Sequence, residues 1–178
     1  MTARTGKREF IPVSIAVLTI SDSRTAENDK SGDLLVRRIA DTGHKNAGKK
    51  IVRDNIYQIR AVVSDWIVDD SVQVILTTGG TGVTGRDGTP EAIRPLLDKE
   101  ISGFGEMFRV LSYEKIKTST LQSRAFAGVA NGTYVFSLPG SAGACADGWD
   151  MLIEKQLVGV RCPLLNSRND YNDQKTLT

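Results

Sequence analysis

Between Val74 and Pro90 the chain reads VILTTGGTGVTGRDGTP, and this stretch restricts its fold more than any other. The apolar, β-branched opening suits a strand of a parallel sheet buried on both faces. The closing Thr89-Pro90 joins a capping residue to the imino acid favoured at the first helical position. The loop between them carries Gly79, Gly80, Gly82, Gly85 and Gly88. Glycine adopts positive φ and lets a ligand come close to the backbone. A loop of this kind leaving a buried strand can aim N–H groups at an anion, usually a phosphate. A long flexible turn is the alternative, but loops of this length in compact domains are mostly functional or disordered.

Two familiar phosphate motifs nearly fit. Gly80 to Gly85 satisfies G-x-G-x-x-G after a strand, as a nucleotide-binding oxidoreductase would require, but the dinucleotide fingerprint opens directly into a helix. Here the helix signal waits until Thr89-Pro90. The same residues begin a P-loop, yet Arg86-Asp87 stands where Lys-Ser/Thr belongs. The lysine and hydroxyl that reach the terminal phosphates and magnesium in that motif are missing.

The remaining chain extends the α/β pattern. Val13 to Ile20 is a nearly continuous apolar run and predicts a first strand. Ser31 or Asp29 caps the next helix, which carries Leu34, Leu35, Ile39 and Ala40 on one face and ends at Gly43. His44, the only histidine, follows and is expected to face solvent. Lys50 to Arg53 predicts a short strand, and Asn55 can cap a helix bearing Ile56, Ile59, Val62, Val63, Trp66 and Ile67 at helical spacing. Val72 to Thr77 is the third strand, and Pro95 shortens or kinks the helix after the glycine loop. A helix is expected around Met107, Phe108, Val110 and Leu111. Another, capped by Thr118-Ser119-Thr120, is expected to contain Leu121 and Ala125. Asn131-Gly132 is a tight turn before a fourth strand, Thr133 to Leu138. Pro139-Gly140-Ser141 then leads into a helix through Trp149, Leu152, Ile153 and Leu157.

Strands alternating with helices predict an α/β fold with a mostly parallel sheet covered on both faces, a three-layer α/β/α sandwich. The 178 residues suffice for one domain with a sizeable core, between an N-terminal arm to about residue 11 and a polar tail from about residue 163. A net charge of +2 gives no electrostatic case for nucleic acid or an anionic membrane. No apolar run reaches transmembrane length. Cys145 and Cys162 form neither a disulfide framework nor a metal spacing, so a reduced cytoplasmic protein is expected, with Cys145 a small core residue.

In open parallel sheets ligands bind beyond the carboxyl ends of the strands, near the topological switch point. That rule selects Ser21-Asp22-Ser23, Asp54-Asn55, Gly79 to Thr89, and Pro139-Gly140-Ser141. Gly79 to Gly82 supplies backbone donors, and Ser141 at a helix start supplies a hydroxyl and further N–H groups. Asp54 and Asp87 are placed to face the same cleft, where two carboxylates beside phosphates suit Mg²⁺. Each has a plainer reading: Asp54 as a helix cap, Asp87 and Ser21-Asp22-Ser23 as turn residues. The lone histidine excludes a Ser/His/Asp triad. Phosphoryl or nucleotidyl transfer by positioning and charge neutralisation is the chemistry left.

TISDSR after the first strand, TTGGTG after the third, RDGTPEA, GFGEMFR, TSTLQSRAFAGV and LPGS together resemble the MoaB/MogA family of molybdenum cofactor biosynthesis. The N-terminal FIPVSIAVLT and the TSTLQSRA segment are similar to its MoaB branch. The resemblance implies a molybdopterin adenylyltransferase, which transfers AMP from Mg-ATP to the molybdopterin phosphate and releases pyrophosphate. It implies Asp54 and Asp87 as the functional acidic pair, with Mg²⁺ held through them. It implies Thr78, Gly79, Gly80, Thr81 and Gly82 around phosphate, and Ser21, Asp22, Pro139, Gly140 and Ser141 at pterin or nucleotide. It implies homo-oligomers, trimers or hexamers. A catalytically silent molybdopterin carrier of the same pathway would use the same loop.

Overall fold

The computed structural model describes residues 10–157. The expected polar tail, Cys162 and most of the N-terminal arm lie outside the described residues. Six strands form one sheet: β1 Ser14–Ile20, β2 Lys45–Val52, β3 Val74–Thr78, β4 Lys99–Glu100, β5 Phe126–Ala130 and β6 Thr133–Leu138. The helices are α1 Lys30–Asp41, α2 Ile56–Val68, α3 Thr89–Ile93, α4 Ser102–Ile116 and α5 Ala142–Gly148, the last continuing through a π-helical turn into α6 Glu154–Leu157. The strand order is β2-β1-β3-β6-β5-β4. β2, β1, β3 and β6 run parallel, whereas β5 and β4 add an antiparallel edge.

Alternation along the strands divides the core into two layers. Ile15 and Val17 of β1 pack with Leu35 and Ile39 of α1, Phe104 and Phe108 of α4, and Trp149 and Ile153. Ala16 and Leu18 pack on the other face with Ile59, Val63 and Trp66 of α2 and Ala92 and Ile93 of α3. Burying one such aliphatic side chain contributes about 2 kcal/mol, so both faces of the sheet retain their helices. The result is the three-layer α/β/α arrangement. Among the described residues, no helix is long and apolar enough to cross a membrane.

Some local expectations are corrected and others are borne out. β2 begins at Lys45, well before Lys50. It is an edge strand with one neighbour, and exposed residues such as Lys45, Asn46 and Ala47 need no apolar pattern there. The segment expected to form a helix through Leu121 and Ala125 instead makes a 3-10 turn, Lys117–Gln122, and then enters β5. Asn131 (φ 48°) and Gly132 (φ 77°) join β5 to β6 as a hairpin. Two positive φ values match the twist of antiparallel strands. His44 is 6% exposed, not solvent-facing. Its Nδ1 accepts the Val13 N–H at 3.2 Å, its ring lies against Phe10 and Trp149, and burial pushes its pKa below the ordinary value. Asp29, rather than Ser31, caps α1 by accepting the Gly32 N–H at 3.0 Å. Pro95 sits in a 3-10 turn, Arg94–Leu96, that ends α3 after a single turn.

Candidate functional site

β1 crosses to β2 on one side and the chain then returns to β3 on the other. The carboxyl ends of these strands therefore open onto a crevice that no crossover covers. A cleft of about 670 Å³ lies there. It is lined by Ser21 and Asp22 after β1, Asp54 after β2, Thr78 to Gly82 and Asp87 after β3, and Pro139, Gly140 and Ser141 after β6. Every site residue named from the sequence thus borders one cavity.

The glycine loop is folded tightly onto its neighbours. Gly79 has φ 107° and Gly80 φ 63°, conformations that side chains rarely adopt. A Cβ on Gly79 would lie 2.1 Å from the Ile20 carbonyl oxygen. One on Gly80 would lie 2.3 Å from Thr89 Oγ1 and 2.7 Å from Asp54 Oδ2. The Gly79 N–H donates to Leu138 O at 3.0 Å, fastening the loop to the end of β6. Thr89 does not cap α3 with its side chain: its hydroxyl donates to Gly79 O at 2.8 Å, and its N–H to Gly80 O at 3.0 Å. The loop is held open by its own downstream end, which is why the helix begins so late.

The two acidic residues differ in how they stand to their plainer readings. Asn55, not Asp54, caps α2 by accepting the N–H groups of Tyr57 and Gln58. Asp54 Oδ1 instead accepts the Gly88 N–H at 3.1 Å, bracing the far end of the glycine loop. Burial foremost, then the charges of Asp87 and Asp22, raise its pKa, and the Gly88 N–H and Arg86 offset only part of this. Asp87 does close a turn: its Oδ2 accepts the Thr84 N–H at 2.8 Å and the Thr84 hydroxyl at 2.6 Å. The Thr84 hydroxyl, outweighing partial burial and aided by the N–H groups of Thr84 and Gly82 and by Arg124, holds its pKa below the usual range. A Cβ on Gly82 would stand 2.7 Å from Asp87 Oδ2, so this carboxylate also presses on the loop. One carboxylate is thus biased toward its charged form and the other against it, a pattern typical of sites.

Asp22 meets Arg86 at 2.8 Å across the mouth of the cleft. Ser21 Oγ accepts the N–H groups of Ser23 and Arg24, each at 3.3 Å, so it is also a turn residue. Ser141 caps α5 by accepting the Ala144 N–H at 3.2 Å, which leaves its own O–H to donate. Cys145 lies beneath, 3.1 Å from Thr78 Oγ1, and burial pushes its thiol up to about 11. A thiol so rarely ionised has no nucleophilic use at neutral pH.

Sequence reasoning missed the opposite wall. Phe108, Ser112 and Ile116 of α4, with Ser119, Gln122 and Ser123 beyond it, line the cleft with hydroxyl, amide and apolar groups and no charge. It also missed Arg124, whose guanidinium donates to the carbonyls of Gly82 and Asp87, each at 2.6 Å. Only an early recognition of β5 could have brought these residues to the rim. The donor set fits a hard divalent cation: two carboxylates beside a loop of N–H groups, with room for phosphate and water oxygens to complete its shell.

A family model described as a probable molybdopterin binding domain matches residues 16–158. Molybdenum cofactor biosynthesis protein B of Escherichia coli (strain K12) is 55% identical over 149 residues, covering 84% of this chain and 88% of that protein. A crystal structure of a molybdenum cofactor biosynthesis protein B superposes with a TM-score of 0.81 at 44% identity, covering 84% of this chain and 94% of the other. The tungsten cofactor synthesizing protein MoaB from Pyrococcus furiosus gives a TM-score of 0.77 at 36% identity, covering 88% and 98%.

Proposed function

The chain belongs to the molybdopterin-binding family of molybdenum cofactor biosynthesis proteins, in its MoaB branch, and from that premise we propose that it is a molybdopterin adenylyltransferase. A terminal phosphate oxygen of molybdopterin attacks the α-phosphorus of ATP. The bond from that phosphorus to the bridging oxygen breaks, pyrophosphate leaves, and AMP remains on the molybdopterin phosphate. The chain contributes position and charge, the two terms on which phosphoryl-type transfer mainly depends.

In this reading the N–H groups of Gly79 to Gly82 cradle phosphate beside Thr78 and Thr81. Asp54 and Asp87 hold the magnesium that accompanies ATP. Bound there, the ion would neutralise phosphate charge. Ser21, Asp22, Pro139, Gly140 and the Ser141 hydroxyl orient the pterin or nucleotide. The observation that carries the reading is that both carboxylates press on the same glycine loop, at the rim where β1, β2, β3 and β6 all end. The raised pKa of Asp54 supports it, because a cation would relieve the crowding of like charges there. A homo-oligomer, trimer or hexamer, belongs to the same reading. The exposed Met107, Val110, Tyr113 and Ile116 along α4 support it.

The test is pyrophosphate release from Mg-ATP with molybdopterin, for wild type and Asp54→Asn. Turnover by the wild type that collapses in the variant is expected. Turnover that survives the substitution removes the role given to Asp54. Tight molybdopterin binding without turnover in the wild type would assign a carrier instead.

A further inference from the structure

Arg124 follows the 3-10 turn and precedes β5. Its backbone N–H donates to Thr81 O at 3.0 Å. Its Nε donates to Gly82 O and a terminal nitrogen to Asp87 O, both at 2.6 Å, and its other terminal nitrogen pairs with Glu91 at the start of α3. One residue therefore holds three carbonyls of the glycine loop and the helix beyond it.

Two of those carbonyls matter for the other end of their peptide groups. A trans peptide is planar, with its C=O and N–H pointing in opposite directions. The peptide whose carbonyl is Thr81 O, held by the Arg124 main-chain N–H, carries the Gly82 N–H, which helps to keep the Asp87 carboxylate charged. The peptide whose carbonyl is Asp87 O carries the Gly88 N–H, which donates to Asp54 Oδ1. The guanidinium thus grips from behind the peptide whose N–H holds Asp54, while the Asp87 side of the loop is tied by the Arg124 main chain. Polarisation runs the same way, since a donor on the carbonyl strengthens the N–H of the same peptide.

We infer that the Arg124 side chain is a positioning residue for adenylyl transfer, setting the orientation of Asp54 through the Asp87–Gly88 peptide of the glycine loop. The inference rests on the reaction proposed above. Arginine is required because its planar fork reaches two carbonyls and a carboxylate at once, and a lysine ammonium on a flexible stem does not. Arg124 touches no reacting atom, so its loss acts on the rate more than on substrate capture.

The experiment compares wild type, Arg124→Lys and Arg124→Ala by pyrophosphate release and by amide hydrogen exchange. In Arg124→Ala, kcat is expected to fall about 100-fold while KM for molybdopterin stays within about threefold, as for a misplaced catalytic group. Exchange at Gly88 should quicken by about tenfold or more, with β1 and β3 unchanged. Arg124→Lys should fall between, and it carries the test if the alanine variant does not fold. A kcat within about threefold of wild type overturns the inference, as does faster exchange spread equally through β1 and β3. Should the wild type itself release no pyrophosphate, adenylyl transfer fails as a reading and exchange alone decides. Selective loosening at Gly88 upholds the positioning role, and unchanged exchange there ends it.

Discussion

Two acidic regions lie close together on the same rim of the sheet and differ in how they are partnered. At the start of α1, Asp29 is fully buried, receives the Thr19 hydroxyl at 2.8 Å and the Gly32 N–H at 3.0 Å, and pairs with Lys49 at 2.8 Å. Burial raises its pKa, but Lys49, Thr19 and the Gly32 N–H together bring it below the usual range. At the glycine loop, Asp54 has the Gly88 N–H and the unfavourable company of Asp87 and Asp22. The first carboxylate is completed by its own chain. The second is left short of positive charge, and a group in that condition gains most from something brought in by a ligand. Burial alone would have ranked Asp29 as the more unusual acid; partnering distinguishes structure from site.

The contrast breaks or sharpens under substitution. The largest effect is expected for Asp54→Asn, which should lower the proposed adenylyl transfer about 1,000-fold, or about 4 kcal/mol in the barrier. The same variant should unfold no more easily than wild type in urea, and its stability should rise by up to about 1 kcal/mol, because it removes a crowded charge. Asp29→Asn should do the reverse, costing about 2 kcal/mol of stability by removing the buried partner of Lys49, which keeps Asp33 at 2.5 Å, and by weakening the bonds from Thr19 and Gly32. Its turnover per folded molecule should stay within about tenfold of wild type, since Asp29 holds no phosphate or magnesium in this reading. The pH dependence has a definite sign. The folded-state pKa of Asp29 is lowered, so its stabilisation is present above the ordinary carboxylate value of about 4 and is lost as pH falls through the lowered one. Urea midpoints of wild type and Asp29→Asn should therefore converge in acid. If the gap stays constant, the ion pair is not its source.

Gly80→Ala comes next. A Cβ at φ 63° beside Thr89 Oγ1 and Asp54 Oδ2 should cost about 2 kcal/mol in thermal unfolding and disturb the loop that Asp54 braces. Arg86→Ala should change least, within about 0.5 kcal/mol, because its bridge to Asp22 is highly exposed. A large loss there would mean that the mouth of the cleft, and not its floor, holds the loops together.

Much of the candidate site could be read without coordinates, for a physical reason. Parallel strands buried on both faces must be apolar runs, and their carboxyl ends must share one rim. Val13 to Ile20, Val72 to Thr77 and Thr133 to Leu138 showed that pattern, so the loops after them could be placed together. The antiparallel edge was not legible in the same way. FAGVA is too short and too small in its side chains for periodicity to tell strand from helix. The informative signal was Asn131-Gly132, a dipeptide suited to a two-residue hairpin, which would have made its upstream neighbour a strand. His44 was misplaced because a polar residue after a helix end usually faces water, and only Phe10 and Trp149 closing over it bury the ring.

The order of residues by itself determined the layered α/β architecture, the rim at which chemistry could occur, and the glycine loop with its two acids. These follow from local rules: apolar runs pair, glycines permit close approach, and the strand ends converge. Tertiary structure alone decided which acid is completed and which is left wanting, because Lys49 reaches Asp29 from a neighbouring strand and, among the described residues, nothing comparable reaches Asp54. It also brought Arg124 behind the loop, through an antiparallel strand no periodicity revealed. Charge balance and peptide orientation depend on distances between segments far apart in the chain, and only a packed core sets those distances.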